Sequence, residues 1–297
     1  MNAGVLDLVR TRLSRGLRAQ GANGIGLSNG PMSSAAVPSS GGELQDLSPF
    51  RLLSLVEKSL KRPAGAQKAF DPEAIRSKVR DYLSHEDWKT RNVGVKLVGL
   101  IGYREMLPTL LDMLRDRTPD TLLRRLFGGD FRQVGFIRRN IVRTVGDLGI
   151  YSPEVEGALM EALTDPYYEV RACSAATFRR LSTQVEADPD VERGLLRCLR
   201  DRSFEVVMEA ALALGKVGGA GATGPVLGLY THRNWRVREA ALQTTHDLIE
   251  RGVLCDADAV EGALNDLLIP CPSFKPNFPL RGALRDLAQD LIRLRQR

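Results

Sequence analysis

The chain has 297 residues, of which 43% are hydrophobic but only 6% are aromatic, so a buried core must be built mainly from aliphatic side chains. No stretch approaches the roughly 18 consecutive apolar residues of a transmembrane segment. A charged fraction of 26%, beside many leucines, excludes a wholly disordered chain. The 42 Lys and Arg residues exceed the 36 Asp and Glu residues, which leaves a formal net charge of +6.

The first 46 residues are predicted to form a flexible tail that carries a short basic amphipathic helix. The apolar positions of this helix recur at spacings of three and four, and they are Leu6, Val9, Leu13 and Leu17. Four arginines cover much of the remaining surface, which is typical of a helix that docks in a partner's groove or makes peripheral contact with an anionic membrane. A frayed terminus is the alternative. The Gly-, Ser- and Pro-rich residues 21–42 are predicted to be a linker, because they bury too little apolar surface to offset the entropy lost on ordering.

Residues 47–71 are predicted to form a capping helix followed by a second linker. Ser48 is a candidate N-cap, and Pro49 suits the first helical position, where a missing N–H costs little. The apolar stripe of this helix consists of Leu52, Leu53, Val56 and Leu60.

From residue 72 to the end, one pattern recurs six times. Most copies have a leucine-rich helix, a polar turn, an aromatic residue, and three places later a position usually filled by Arg that opens a helix rich in small residues; two of the six copies appear only when insertions are allowed, and the copy of Arg138 lacks the aromatic residue. This aligned position is occupied by Arg91, Arg138, Arg171, Val207, Arg238 and Arg281. The aromatic residue of the turn is Trp88, Tyr168, Phe204, Trp235 or Phe278. The first helices are predicted at 73–84, 105–116, 153–164, 189–200, about 222–231 and 257–268.

A pattern of this kind predicts stacked helix pairs, because a single pair cannot bury both of its apolar faces. We interpret the recurring aromatic and Arg positions as structural. The aromatic residue would cap its pair, and the Arg would bridge to an Asp165-like residue in the turn of its own or an adjacent repeat. A row of binding residues is the alternative.

The repeats resemble the HEAT-repeat family, especially the short bacterial HEAT-like form that is also found in phycobilisome lyases. The resemblance is carried by Asp165-Pro166, Val170-Arg171 and Ala175-Ala176, by Asp201, Val206, Ala210-Ala211 and Gly215, and by Trp235, Val237-Arg238 and Ala240-Ala241. It covers about residues 72–297 and implies an all-α fold, a right-handed α-solenoid of about six HEAT-like helix pairs. Because HEAT motifs encode stacking, the resemblance specifies no chemistry; some relatives are DNA glycosylases and others chromophore lyases.

Two repeats are interrupted, and both extra segments are predicted to lie in the turn between the paired helices, on one edge of the stack. The first interruption, within 115–143, contains eight Arg and three Asp residues, and a short helix is expected from Thr118 to Phe127. Arginine forks suit carboxylate or phosphate recognition, and the interleaved phenylalanines suit partner packing or base stacking. The candidate partner-binding residues are Arg117, Arg124, Arg125, Phe127, Phe131, Arg132, Phe136, Arg138, Arg139 and Arg143. A solvated loop is the alternative. The second interruption, 270–279, contains four prolines and is predicted to be an extended bridge to the final helix.

The sequence offers no pattern for a metal or a cofactor. The cysteines are Cys173, Cys198, Cys255 and Cys271, and none of them forms a CxxC pair. The first two are expected to be small buried residues. His85 and His232 each lie six places before the aligned position, which marks them as repeat features and not as a catalytic pair. With no apolar stretch ahead of a cleavage site, a cytoplasmic location is expected.

The net charge is concentrated in one place. Residues 1–46 carry a net +1 and residues 115–143 a net +5, while the rest of the chain holds 30 basic and 30 acidic residues. These observations favour a non-enzymatic scaffold that binds another protein through an acidic patch on that protein. Two alternatives remain, a nucleic-acid-binding HEAT-like protein and a chromophore lyase-like enzyme.

Overall fold

A computed structural model describes residues 47–61, 72–115, 129–185, 188–268 and 279–296, which belong to one compact unit, Pro38–Arg297. For residues 72, 129–134, 268 and 281 it describes the backbone alone. The predictions for the N-terminal tail, the second linker, the short helix at 118–127, Cys271 and Phe278 fall outside the described residues.

The described residues are all-α: they contain helices and no strand. In chain order the α-helices are α1 (Pro49–Leu60), α2 (Pro72–Leu83), α3 (Trp88–Ile101), α4 (Leu107–Arg115), α5 (Gly129–Leu148), α6 (Pro153–Ala162), α7 (Tyr168–Arg180), α8 (Pro189–Cys198), α9 (Phe204–Val217), α10 (Thr223–Gly228), α11 (Trp235–Glu250), α12 (Ala257–Leu268) and α13 (Arg281–Gln296). Short 3-10 segments precede α4 and flank α10 on both sides. Within the described ranges, no helix is long and apolar enough to cross a membrane.

Several helices begin at caps that are visible in the sequence. Ser152 and Asp188 each stand before a proline, and their side chains accept a hydrogen bond from a backbone N–H of the first turn. Asp87 caps α3 in the same way, and Asn234 caps α11. Ser48 occupies the N-cap position of α1 before Pro49, but its side chain makes no capping hydrogen bond.

The helices pack as pairs joined in succession. Each first helix (α2, α4, α6, α8, α10, α12) packs against the second helix that follows it. The second helices, α3, α5, α7, α9, α11 and α13, pack one against the next, and α1 lies on α3. One continuous aliphatic core results, with small residues such as Ala210 and Ala211 fully buried where helices approach closely. Gly135 marks one tight approach, because a Cβ there would lie 2.7 Å from the Tyr167 ring.

Two predictions about the helices were wrong, one about where a helix begins and one about which residues a helix buries. The first interruption is not confined to a turn: α5 begins at Gly129 and runs for 20 residues, whereas the other second helices have 13 to 16. Part of the extra length therefore extends a helix, and residues 116–128 remain between α4 and α5. In α1 the buried stripe ends at Val56, and Leu60 is half exposed in the last turn.

Candidate partner-binding surface

The aligned arginines hold the turns, and two of them tie their repeat to the turn of the next. Arg138 donates two hydrogen bonds to the Asp165 carboxylate at 2.7 and 2.9 Å, and both side chains are buried. Arg171 donates to Asp201 with the same geometry, and also to the carbonyl of Asp165 in its own turn at 2.7 Å. Arg91 donates to turn carbonyls of its own repeat. We call this series of contacts the turn ladder.

The residue six places before the aligned position has a second task within the turn ladder. Asp165 and Asp201 each accept a hydrogen bond from the backbone N–H two residues later. His85 and His232 accept the equivalent bond through Nδ1. The imidazoles are therefore turn acceptors.

The departure at Val207 follows from the same pairing rule. In the two preceding repeats the aligned Arg pairs with the Asp six places before the next aligned position, Arg138 with Asp165 and Arg171 with Asp201. In the repeat after Val207 that place is occupied by His232. An arginine at 207 would be buried without a carboxylate, because Val207 is 1% exposed. An apolar side chain at that position avoids the cost.

The recurring aromatic residues form the first residue of four second helices, at the edge where the turns lie. Trp88, Tyr168, Phe204 and Trp235 are all partly exposed there. Cations lie over both tryptophan rings: Lys89 at 5.9 Å from the Trp88 centroid and Arg236 at 5.6 Å from the Trp235 centroid.

The structure separates the candidate partner-binding residues into three groups. Those lying outside the described residues, or described by backbone alone, are Arg117, Arg124, Arg125, Phe127, Phe131 and Arg132. Arg138 was wrongly assigned to a partner, since its buried guanidinium is used by Asp165. Arg139 lies 4.2 Å from the Phe136 ring centroid and is ion-paired with Glu169, so both side chains support the stack. Arg143 is exposed and has no ion pair with a described residue.

Arg143 lines a groove that we call the N-terminal groove, with a volume of about 410 Å³ between α1, α3 and α5. Lys96, on the neighbouring helix, is also exposed and without an ion pair in the described part of the chain. Leu100 adds an apolar surface that is 39% exposed. Glu57 and Asp147 complete the charged lining, and Asp147 is already paired with Arg180. The groove therefore offers two available cations beside an apolar contact.

Three cations elsewhere on the second helices pair with carboxylates of neighbouring second helices. Arg180 pairs with Asp147, and Arg179 donates to Glu209 at 2.9 Å. Lys216 donates to Asp247 at 2.9 Å. A continuous cationic strip, which a nucleic-acid backbone requires, is thus not formed by these described helices.

A second groove, the C-terminal groove, lies between α9, α11 and α13 and has a volume of about 280 Å³. His246 lines it and forms a 2.6 Å hydrogen bond with the buried carboxylate of Asp290. This hydrogen bond raises the pKa of His246 above its usual value. Glu250 lies close enough to complete a trio of metal-type ligands, but Arg293 contacts Glu250 at 3.2 Å and Asp290 at 3.4 Å. We therefore assign an ion-pair network here.

Sequence reasoning missed a series of buried threonines. Thr144, Thr177 and Thr244 all lie six places after the aligned position, and each donates a hydrogen bond to a backbone carbonyl of the preceding second helix. The fixed offset was available in the sequence as a signal. The repeat of Val207 has Ala213 at this offset, so it departs from the pattern at two positions.

Two of the described cysteines lie in surroundings that disfavour the thiolate form. Burial raises the pKa of Cys173 and of Cys198 to about 11, which makes both poor nucleophiles at neutral pH. Cys198 is buried as expected, whereas Cys173 is partly exposed on α7. Cys255 is exposed.

No family model matches the chain, and none of the curated proteins matches it. Solved structures do match. An engineered protein from the Northeast Structural Genomics Consortium is 14% identical with a TM-score of 0.49, and the match covers 74% of this chain and 97% of that one. The complex of CpcE and CpcF of phycocyanin lyase from Nostoc sp. PCC7120 is 20% identical with a TM-score of 0.45, over 80% of this chain and 96% of that one. Human deoxyhypusine hydroxylase is 15% identical with a TM-score of 0.29, over 86% and 99% respectively. Likenesses at this level do not identify a family.

Proposed function

We propose that this chain is a non-enzymatic protein-interaction scaffold, built as a right-handed α-solenoid of about six HEAT-like helix pairs. The partner is a protein that presents an acidic patch to the N-terminal groove and to the Arg-rich residues 115–143 of the sequence. One observation carries the proposal: Arg143 and Lys96 form no ion pair with a described residue beside the exposed Leu100, whereas Arg179, Arg180 and Lys216, further along the second helices, are paired.

The chemistry of the groove suits a protein surface. Carboxylates of the partner would pair with the two cations, and an apolar side chain would cover Leu100, which combines the charged and apolar contacts typical of interfaces. Glu57, which also lines the groove, would repel a continuous phosphate backbone while leaving room for discrete acidic side chains. The histidines and the buried cysteines also support a binding role, because the histidines hold turns or an ion pair and the cysteines are packed in the helices.

The proposal is tested by charge reversal followed by affinity capture from the native cell. The test protein carries Arg143→Glu with Lys96→Glu, and a matched control carries Arg80→Glu with Arg104→Glu, two exposed arginines without ion pairs in the described structure. Quantitative mass spectrometry should show a partner that the wild type and the control retain and the test protein loses. Equal retention by all three proteins would contradict the proposal.

A deletion distinguishes the contribution of the Arg-rich segment to partner binding from that of the groove. Removing residues 117–128 leaves α5 intact, because that helix begins at Gly129. We expect this deletion to weaken binding of the same partner. Steep salt-dependent binding to duplex DNA at about 50 mM salt, lost on the same deletion, would instead establish the nucleic-acid-binding alternative.

A further inference from the structure

A third groove, which we call the edge groove, lies where the turns meet the starts of α9 and α11. Its volume is about 490 Å³, and its lining consists of Phe204, Arg233, Asn234, Trp235 and Arg236. It shares no residue with the N-terminal groove.

Two successive turns bring an excess of arginines to this groove. Arg233 and Arg236 line it, and Arg200 and Arg202 lie in the turn that leads into Phe204. All four are exposed, and none forms an ion pair with a described residue. Exposed arginines on the second-helix surface, by contrast, mostly have a carboxylate partner. A guanidinium without a partner is available for bidentate binding of a carboxylate.

Fewer acidic groups than arginines lie nearby. Asp201 is held by Arg171 at 2.7 Å, and Glu205 accepts a 2.6 Å hydrogen bond from the Ser203 hydroxyl. Glu239, one turn into α11, is partly buried; burial raises its pKa, and the charge of Arg236 acts on that pKa in the opposite direction. The edge groove therefore keeps a positive surplus.

The aromatic rings add an apolar contact between the charges. Phe204 and Trp235 stand one repeat apart on the same edge, and Trp235 is 37% exposed. The side-chain oxygen of Asn234 is engaged by the N–H of Arg236, so its amide nitrogen points to no described acceptor and can donate to a ligand carbonyl. Trp and Arg are the residue types that contribute most at protein interfaces.

We propose that the edge groove binds a short acidic peptide segment of a protein, with carboxylates on Arg233 and Arg236 and one apolar side chain between Phe204 and Trp235. This is a second binding site, and it stands independently of the N-terminal groove. A peptide fits better than a nucleic acid for two reasons. Arg236 already covers the Trp235 ring, where a base would stack, and the arginines belong to only two successive turns, which is short for a nucleic-acid backbone.

The test uses the tryptophan inside the groove as the reporter. The chain has two tryptophans, so Trp88→Phe leaves Trp235 as the only indole. The probes are a peptide of sequence EDLDED, its neutral counterpart QNLNQN, and a twelve-residue oligothymidylate. We expect saturable binding of EDLDED that changes Trp235 fluorescence, with little response to QNLNQN.

Charge reversal then locates the binding. In this background, Arg233→Glu with Arg236→Glu should weaken EDLDED by about tenfold or more, whereas Arg80→Glu with Arg104→Glu should change it by less than about twofold. Circular dichroism checks that both variants remain folded. The proposal is overturned if EDLDED does not saturate, if both variants lose it equally, or if the oligothymidylate binds more tightly and is lost with Arg233 and Arg236.

Discussion

The most informative single change is Asp165→Asn in the turn ladder. Asp165 is 2% exposed and accepts two hydrogen bonds from Arg138, whose side chain is 7% exposed. Asparagine keeps an oxygen for the N–H of Tyr167, so the turn itself should survive. The guanidinium would nevertheless stay buried without a counter-charge, and losing one partner of a buried pair costs about 3 to 5 kcal/mol. We expect the free energy of unfolding to fall by that amount.

A double-mutant cycle identifies the ion pair as the cause. Arg138→Met alone should also be strongly destabilising, because it leaves the Asp165 carboxylate buried and unpaired. The two changes together should cost less than their sum by about 2 kcal/mol or more, because no buried charge is then left alone. Arg193→Met is the control: that residue pairs with Asp190 on an exposed helix surface, and its loss should cost less than about 0.5 kcal/mol.

The assay is urea unfolding followed by circular dichroism, with hydrogen exchange to locate the region that opens. Repeat proteins can unfold in parts, so destabilisation should appear first in α5 and α7, because this ion pair joins α5 to the turn that precedes α7. Losses below about 1 kcal/mol in both single variants, or additive losses in the double variant, would refute the buried-pair explanation.

Three further predictions concern other contacts. Because hydrogen bonding to Asp290 raises the pKa of His246, its contribution to stability should be full below about pH 6.5 and decline as the pH rises through the raised pKa; His246→Gln should abolish this slope in unfolding titrations across the pH range. Val207→Arg should destabilise the chain by about 3 kcal/mol in urea, and adding His232→Asp should regain most of that loss, unless the two positions do not meet. Gly135→Ala should lower the free energy of unfolding by about 1 to 3 kcal/mol, because its Cβ would lie 2.7 Å from an aromatic ring; an unchanged urea midpoint would contradict it.

Much of the helical architecture could be predicted because the repeat encodes it locally. Leucine spacing and prolines placed the first helices within about two residues of where they begin. The turn acceptors and the aligned arginines could also be identified, since the offset of six residues is constant from repeat to repeat. The compensation between Val207 and His232 was missed, because it links two repeats and becomes visible only when the Arg138–Asp165 pair is seen.

The candidate site was harder to predict because a helix turns about 100° per residue. Arg138, Arg139 and Arg143 lie within six positions of one another. The repeat alignment marks Arg138 as structural, but no sequence pattern distinguishes the surroundings of Arg139 from those of Arg143. In the structure the first is buried, the second is paired with Glu169, and the third faces the N-terminal groove. A count of arginines along the chain cannot supply that distinction.

The edge groove could not be predicted from the sequence, for a different reason. Its two halves, around Phe204 and Trp235, are separated by a complete helix pair, and only the stacking of repeats brings them together. The arginines there belong to a part of the chain whose acidic and basic residues balance, so the charge count did not reveal them. Pairing within the structure, and not net charge, determines which cations are available.

The central claim is that the N-terminal groove binds a protein, and site-specific photo-crosslinking in the native cell tests it most directly. A photoreactive amino acid replaces Leu100, which is 39% exposed in the groove, and in a second protein it replaces Arg80 on α2. The account predicts a discrete protein adduct from position 100 that is absent from position 80 and disappears when Arg143→Glu is added. An adduct with nucleic acid, or the same adducts from both positions, would contradict it.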